Sequence, residues 1–136
     1  MATGRKRVEH SEQAKLVARV RAFYPGVLIA AIPNGGSRTA LERVSMHAEG
    51  VLSGMPDLCV LEPSGGFCGL FIEMKTQTGV VAAAQRDIAR RLNRGGYLCV
   101  TARSAADGWA VIEDYLEGRD GKGSVGGGAN AGQDAS

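Results

Sequence analysis

The chain has few aromatic side chains and few cysteines, and each shortage argues against a class of protein. Aromatic residues make up 5% of its 136 residues, which is few for a platform on which single-stranded bases stack. The possible zinc ligands of the Cys and His types are Cys59, Cys68, Cys99, His10 and His47. They form no C-x₂-C pair and the histidines are isolated, so the pattern does not favour a zinc site. Cysteines inside apolar runs are expected to pack as small hydrophobic groups.

The sequence also has no export signal and no run of about 18 apolar residues, so we expect a soluble intracellular protein. Its formal net charge of +2 is too small to demonstrate a polyanionic partner. Basic residues are concentrated only at residues 5–7 and in one later segment, at Arg86, Arg90, Arg91 and Arg94. The length and the 44% content of hydrophobic residues fit one domain with its own core.

Residues 54–75 organise the rest of the chain. Two apolar runs, at residues 58–61 and 70–72, are separated by a Pro-Ser-Gly-Gly segment at residues 63–66. Short apolar runs joined by turn-forming residues are typical of a β-hairpin. The pattern therefore predicts two antiparallel strands with charged residues at their adjacent ends.

The charged residues of this hairpin are Asp57, Glu73 and Lys75. Strand side chains alternate between faces, so Glu73 and Lys75 point to one side and Met74 to the other. In a paired hairpin Asp57 approaches Glu73, and two adjacent carboxylates repel unless a cation lies between them. Mg²⁺ prefers oxygen ligands, and a divalent ion acidifies a water that can attack phosphorus. Glu-x-Lys alone is typical of an exposed strand end, but its combination with Pro-Asp favours a site.

The first third of the chain predicts a helix at residues 8–24 and a buried strand at residues 27–32, after a loose basic segment at residues 1–7. The apolar stripe of the helix consists of Leu16, Val17, Val20, Phe23 and Tyr24. Glu9 and Gln13 fall near the middle of that stripe. Because buried acids are rare, Glu9 is either solvated near a helix end or faces a polar cavity.

A loop at residues 33–38 follows, and a second helix is predicted at residues 39–49. Asn34 and Arg38 in the loop could contact phosphates, or the loop could simply turn the chain. The helix has one apolar face, and Gly50 is placed to end it. The residues of that face are Leu41, Val44 and Ala48.

The second half predicts a helix at residues 80–94, a buried strand at 97–100 and a last helix opened by a cap at Ser104. Gln85 flanks the apolar side of the first of these helices. The expected core contacts of the last helix are Trp109, Ile112, Tyr115 and Leu116. Residues 118–136 are rich in glycine and almost without apolar side chains, so we expect them to be disordered.

This order of elements predicts an α/β fold with a central mixed β-sheet flanked by helices. The chain resembles the VRR-NUC nucleases of the PD-(D/E)XK superfamily over residues 8–117. The matching residues are Glu9-His10 with Gln13, Ile32-Pro33-Asn34-Gly35-Gly36 with Arg38, Gly50, Gly54-x-Pro56-Asp57-Leu58, Gly69-Leu70-x-Ile72-Glu73-Met74-Lys75, Gln85 and Gly96-Tyr97. The resemblance implies a restriction-endonuclease-like core.

The resemblance also implies roles for the hairpin residues. Asp57 and Glu73 would bind Mg²⁺ or Mn²⁺, with the backbone carbonyl of Met74 as a further ligand. Lys75 would orient or activate the attacking water and stabilise charge on the phosphate.

Two helices are implied to complete the site. Glu9 would support the metal or its water shell, and Gln85 would brace the catalytic strand. The helix of Gln85 departs from the family pattern, because residues 81–84 read Val-Ala-Ala-Ala where a Ser-Pro-Glu-like cap is usual. This departure concerns the position at which the helix begins, and it leaves the roles of the hairpin residues unchanged. The residues proposed to contact DNA are Asn34, Arg38, Arg86 and Arg90.

The implied activity is a metal-dependent, structure-selective DNA endonuclease, acting on branched DNA such as four-way junctions or on duplex DNA. Small stand-alone relatives of phage origin imply a homodimer in the bacterial cytoplasm, with no membrane partner and no nucleotide cofactor. One alternative is a non-catalytic DNA-binding or scaffold subunit with the same fold. Another is a nuclease with a different substrate, such as a flap, a DNA end or linear duplex DNA, or a sequence-specific restriction enzyme.

Overall fold

Four strands and four helices make up the part of the chain described by the computed structural model, residues 2–33 and 39–118. In chain order they are α1 (Ala2–Phe23), β1 (Ile29–Ala31), α2 (Ala40–Ala48), β2 (Leu58–Val60), β3 (Leu70–Met74), α3 (Ala83–Arg94), β4 (Leu98–Ala102) and α4 (Ala105–Leu116). None of these helices is long and apolar enough to cross a lipid bilayer.

The strands form one sheet in the order β1-β2-β3-β4. β1 with β2 and β2 with β3 pair antiparallel, whereas β3 and β4 pair parallel. A parallel pair needs a crossover connection, and α3 provides it. The predicted α/β fold with a mixed sheet and flanking helices is therefore confirmed.

Helices α1 and α4 cover one face of the sheet and form the main core with it. Strand side chains on this face, such as Leu58, Ile72 and Leu98, are fully buried. Leu16 of α1 packs against α4 at Gly108, where an added Cβ would lie 2.5 Å from a Leu16 methyl group. The predicted core contacts Trp109, Ile112 and Tyr115 are buried here. Each fully buried aliphatic side chain contributes about 1.5–3 kcal/mol to folding.

The opposite face of the sheet carries a smaller cluster of buried apolar side chains. Cys59, Phe71 and Cys99 pack there beneath Ala89 and Leu92 of α3. The two cysteines are therefore buried as small hydrophobic groups, as expected. Because side chains alternate along a strand, this is also the face on which Glu73 lies.

Several boundaries differ from those predicted. Helix α1 begins at Ala2, so residues 2–7 are helical and do not form a loose segment. A helix can extend beyond the residues of its apolar stripe. Phe23 is 67% exposed although it continues that stripe. β1 has three residues and lies at the edge of the sheet, which leaves Leu28 59% exposed where a buried strand was predicted.

The predicted second helix is confirmed as α2, with Thr39 as its N-cap. Its apolar face is not covered, because none of its residues is buried. The loop residues Asn34 and Arg38, and the tail from residue 119 onwards, lie outside the described residues.

Candidate metal centre

The β2–β3 hairpin brings Asp57 and Glu73 together. The register pairs Leu58 with Ile72, so the next pair outward is Asp57 and Glu73 on one face of the sheet. Oδ2 of Asp57 accepts a hydrogen bond of 2.8 Å from the backbone N–H of Met74. This bond spans the two strands and holds the carboxylate of Asp57 at the end of β3.

Lys75 lies on the same side as Glu73, as the alternation predicted. Its Nζ is 3.9 Å from Oε2 of Glu73. The intervening Met74 points the other way and is 2% exposed in the main core. The three charged side chains therefore converge at one end of the hairpin.

Glu73 is held in an environment that does not suit a charged carboxylate. The residue is 7% exposed. Burial, and then the negative charge of Asp57, raise the pKa of Glu73 to about 8, against the opposing effect of Lys75. Within the described part of the chain, its Oε1 is buried and has no hydrogen-bond partner. A buried acceptor without a partner costs about 1–3 kcal/mol.

Gln85 connects Glu73 to the first turn of α3. Its Nε2 donates to Oε2 of Glu73 at 3.0 Å, and its Oε1 accepts from the backbone N–H of Ala82 at 2.8 Å. Ala82 occupies the N-cap position and has no side chain that can cap the helix. Gln85 therefore supplies part of the missing cap. The helix starts at Ala83, later than the predicted residue 80.

Gly54 allows the segment before Asp57 to pass close to the same turn of α3. It has a φ of 93°, and an added Cβ would lie 2.6 Å from the carbonyl oxygen of Ala84. A side chain at this position would push the strand carrying Asp57 away from the helix carrying Gln85. The glycine therefore helps to bring the two sides of the site together.

Two carboxylates are the charged ligands that the hairpin offers to a metal ion. Among residues 2–33 and 39–118 no three His, Cys, Asp or Glu side chains are close enough to hold an ion together. Mg²⁺ nevertheless binds through one or two carboxylates and keeps several waters. The raised pKa of Glu73, caused first by burial and then by Asp57, and its unpartnered Oε1 are both features that a bound cation would relieve. The residues present therefore fit such an ion.

An open cleft of about 730 Å³ lies over this centre. Side chains from α1, α2 and the hairpin line it together with the segment at residues 51–54. Glu9 and Gln13 reach it from α1, so the polar cavity considered for Glu9 exists in the fold. The sequence-predicted residues on the cleft are Glu9, Asp57, Glu73, Lys75 and Gln85.

The two arginines of α3 that were predicted to contact DNA do not line this cleft. Nη1 of Arg86 donates to the carbonyl of Val81 at 2.7 Å. Arg90 is exposed and lies 3.7 Å from Asp87. These two members of the basic cluster therefore lie outside the cleft.

Sequence reasoning missed four other side chains that line the cleft: Lys6, His10, Arg43 and His47. They form two pairs with i,i+4 spacing, one on each of two helices. That spacing places both members of a pair on one helical face. It was the signal in the sequence that could have identified them.

Arg103 was also missed, and it fixes the loop that follows Lys75. Its Nη1 donates to the carbonyl of Thr76 at 2.8 Å and to that of Gly79 at 2.5 Å. In return, the side chain of Gln77 donates to the carbonyl of Arg103 at 3.3 Å. These bonds tie the end of β3 to the end of β4.

A mixed sheet with Pro56-Asp57 at the start of one strand, and Glu73-Met74-Lys75 at the end of the next, defines a PD-(D/E)XK-like nuclease fold. The family model of the VRR-NUC domain matches residues 8–106. The chain therefore belongs to the VRR-NUC domain family, a family of the nuclease type. A solved structure described as a VRR_NUC domain protein has a TM-score of 0.71 and 22% identity, over 82% of this chain and 89% of that one. No curated protein sequence gives a match.

Proposed function

We propose that this protein is a metal-dependent DNA endonuclease that hydrolyses phosphodiester bonds. The observation that carries the proposal is the carboxyl group of Glu73, which is buried beside Asp57 with Oε1 unpartnered within the described residues. Lys75 lies 3.9 Å from the other oxygen of the same carboxyl group. An acid pair with an adjacent ammonium suits a divalent ion and a phosphate.

Asp57 and Glu73 would hold Mg²⁺ or Mn²⁺, and the Met74 backbone carbonyl would be a further ligand. When bound, the ion offsets charge on the phosphate and makes a water easier to deprotonate. Lys75 orients the attacking water and stabilises developing negative charge. Glu9, which lines the same cleft from α1, would support the ion or its water shell.

Gln85 has a positioning role in this scheme. Its hydrogen bond to Glu73 fixes one carboxyl oxygen. The other oxygen is left for the ion. Because the opposite end of the Gln85 amide is bound to the backbone of Ala82, the amide is oriented with its nitrogen towards Glu73.

A non-catalytic scaffold with the same fold is the rival function. A buried acid whose pKa is raised, first by burial and then by a second acid, destabilises the folded protein at neutral pH. A scaffold gains nothing from that cost. Catalysis gives a reason for it, which favours the nuclease.

The test is cleavage of labelled four-way junction, flap and linear duplex DNA with Mg²⁺, Mn²⁺ or EDTA at one fixed salt concentration. Asp57→Asn should lower the cleavage rate by at least about 1000-fold, which corresponds to roughly 4 kcal/mol of barrier. Glu62→Gln changes an exposed acid of the hairpin loop and should retain activity. Equal cleavage by Asp57→Asn and the parent protein would contradict the catalytic assignment.

Branched DNA is the proposed substrate, and a homodimer the proposed form. Two copies related by a two-fold axis would present two centres to the two strands of a junction. The exposed apolar face of α2 supports association, because Leu41 is 80% and Val44 is 67% exposed. Leu41→Lys should give a monomer by light scattering and reduce junction cleavage more than duplex cleavage. A monomeric parent protein, or equal rates on junction and duplex, would contradict this part of the proposal.

A further inference from the structure

Two pairs of basic side chains, one pair on α1 and one on α2, line the cleft. Lys6 and His10 form the α1 pair, and Arg43 and His47 form the α2 pair. Each pair lies one turn apart on its helix, so both members face the cleft together. All four side chains belong to exposed residues, and each can present N–H donors to a ligand.

In the described ranges, 2–33 and 39–118, no carboxylate lies within ion-pair distance of Lys6 or Arg43. By contrast, Arg90 and Arg91 on α3 both contact Asp87, at 3.7 Å and 3.8 Å. The sequence cluster on α3 is thus partly neutralised, whereas Lys6 and Arg43 have no ion-pair partner among the described residues.

The position of these cations matters because the cleft also contains acids. Glu9 and Asp57, together with Glu73 once an ion holds it in its charged form, repel a polyanionic backbone, and one divalent ion offsets only part of that charge. Cations on the same cleft raise the local attraction for phosphate. A guanidinium and an ammonium both bind phosphate oxygens through charge-assisted hydrogen bonds.

Helix α2 has the character of a binding element. None of its residues is buried, so it contributes little to the core. It nevertheless lines the cleft through Arg43, Met46 and His47. Contact with a substrate explains why this face of the helix is cationic.

We propose that Lys6 and Arg43 each bind a backbone phosphate of the DNA strand that is cut, adjacent to the phosphate at the carboxylate pair. His10 and His47 donate N–H groups to the same phosphates. This assignment rests on the proposed function and deepens it. The contacts are with the backbone, so they position the strand and do not read its sequence.

Binding of a labelled DNA junction, measured over a range of salt concentrations with Ca²⁺ in place of Mg²⁺, tests the assignment. Lys6→Gln and Arg43→Gln should each weaken binding about tenfold. Each should also reduce the slope of log Kd against log salt by about 0.7–0.9, the effect of one lost phosphate contact. Arg91→Gln removes an exposed arginine that does not line the cleft and should stay within about twofold of the parent.

A more conservative variant, Arg43→Lys, separates the effect of charge from that of hydrogen-bond geometry. Arg43→Lys keeps the charge and should retain the salt slope, although it loses the bidentate geometry of the guanidinium. In cleavage assays Arg43→Gln should raise KM and leave kcat nearly unchanged, because the side chain binds away from the reacting phosphate. Thermal unfolding should be unchanged in all these variants, since the residues are exposed.

Unaltered salt slopes for both Lys6→Gln and Arg43→Gln would overturn the assignment. A loss for only one of them would overturn the participation of both helices. An equal loss for Arg91→Gln would show a general charge effect and would overturn the assignment too. If the parent protein bound no DNA at all, the proposed function itself would fail, and this assignment with it.

Discussion

Replacing Glu73 by glutamine should stabilise the ion-free protein at alkaline pH and remove its cleavage activity. Burial, followed by the charge of Asp57, raises the pKa of Glu73 from its ordinary value of 4.5 to about 8. Between these values the folded protein retains a proton that the unfolded chain has lost. The free energy of unfolding therefore falls as the pH rises from 4.5 to 8, and the loss is complete above pH 8.

The size of this effect follows from the pKa difference. At about 1.36 kcal/mol per pH unit, the difference corresponds to roughly 5 kcal/mol as an upper bound. The cleft is open, and water screens part of the cost, so we expect about 2–4 kcal/mol. Glutamine has the same shape without the charge. The stability of Glu73→Gln should therefore lack this component of the pH dependence.

Urea unfolding at about pH 5 and about pH 8, in EDTA, measures the effect as a difference between the parent and Glu73→Gln. Taking the difference removes the contribution of other titrating groups. Mg²⁺ should then stabilise the parent at the higher pH and leave Glu73→Gln nearly unchanged. The matched control is Glu62→Gln, an exposed acid of the same hairpin. The same parent-to-variant difference at both pH values would refute the reasoning about the buried carboxyl group.

Two further substitutions test how α3 supports the site. Gln85→Glu can still accept a hydrogen bond from the N–H of Ala82 but can no longer donate one to Glu73. We therefore expect the cleavage rate to fall about 10- to 100-fold with little loss of helix stability. Cleavage at the parent rate would contradict the positioning role. Gly54→Ala should cost about 2–4 kcal/mol in urea unfolding, because φ strain and the close α3 backbone both oppose a Cβ. Gly50→Ala, at a φ of 108° with open space around it, should cost only about 1–2 kcal/mol, and an equal cost for both would show that the close approach is unimportant.

The hairpin was predictable because its interactions are local in the chain. Alternation along β3 places Glu73 and Lys75 on one face whatever the rest of the protein does. Pairing with β2 through a short connection then brings Asp57 opposite Glu73. Local alternation and one pairing were therefore sufficient to predict the proximity of these three residues.

The burial of a helix or strand depends on the elements that pack beside it, so it was not predictable in the same way. The continuous apolar run at residues 27–32 predicted a buried strand, but β1 lies at the edge of the sheet and Leu28 is exposed. The period of α2 predicted a helix, which is confirmed, but its apolar face is uncovered. Periodicity indicates which side chains share a face, and only packing decides what that face meets.

The basic residues show the same limit. Arg86 and Arg90 belong to a basic cluster in the sequence, yet neither lines the cleft. Lys6 and Arg43 are far apart in the chain and meet at the same cleft through the packing of α1 and α2. Charge clustering along a chain therefore says little about clustering in space.

The sequence by itself determined the class of fold, the hairpin and the pairing of two acids with a lysine, because these follow from alternation and short-range connection. Only the tertiary structure decided that Glu9 reaches the same cleft from α1. It also decided that Gln85 holds one oxygen of Glu73 while the other is left unpartnered within the described residues. Both outcomes depend on how distant elements pack, and burial, which raises the pKa of Glu73, exists only once they have packed.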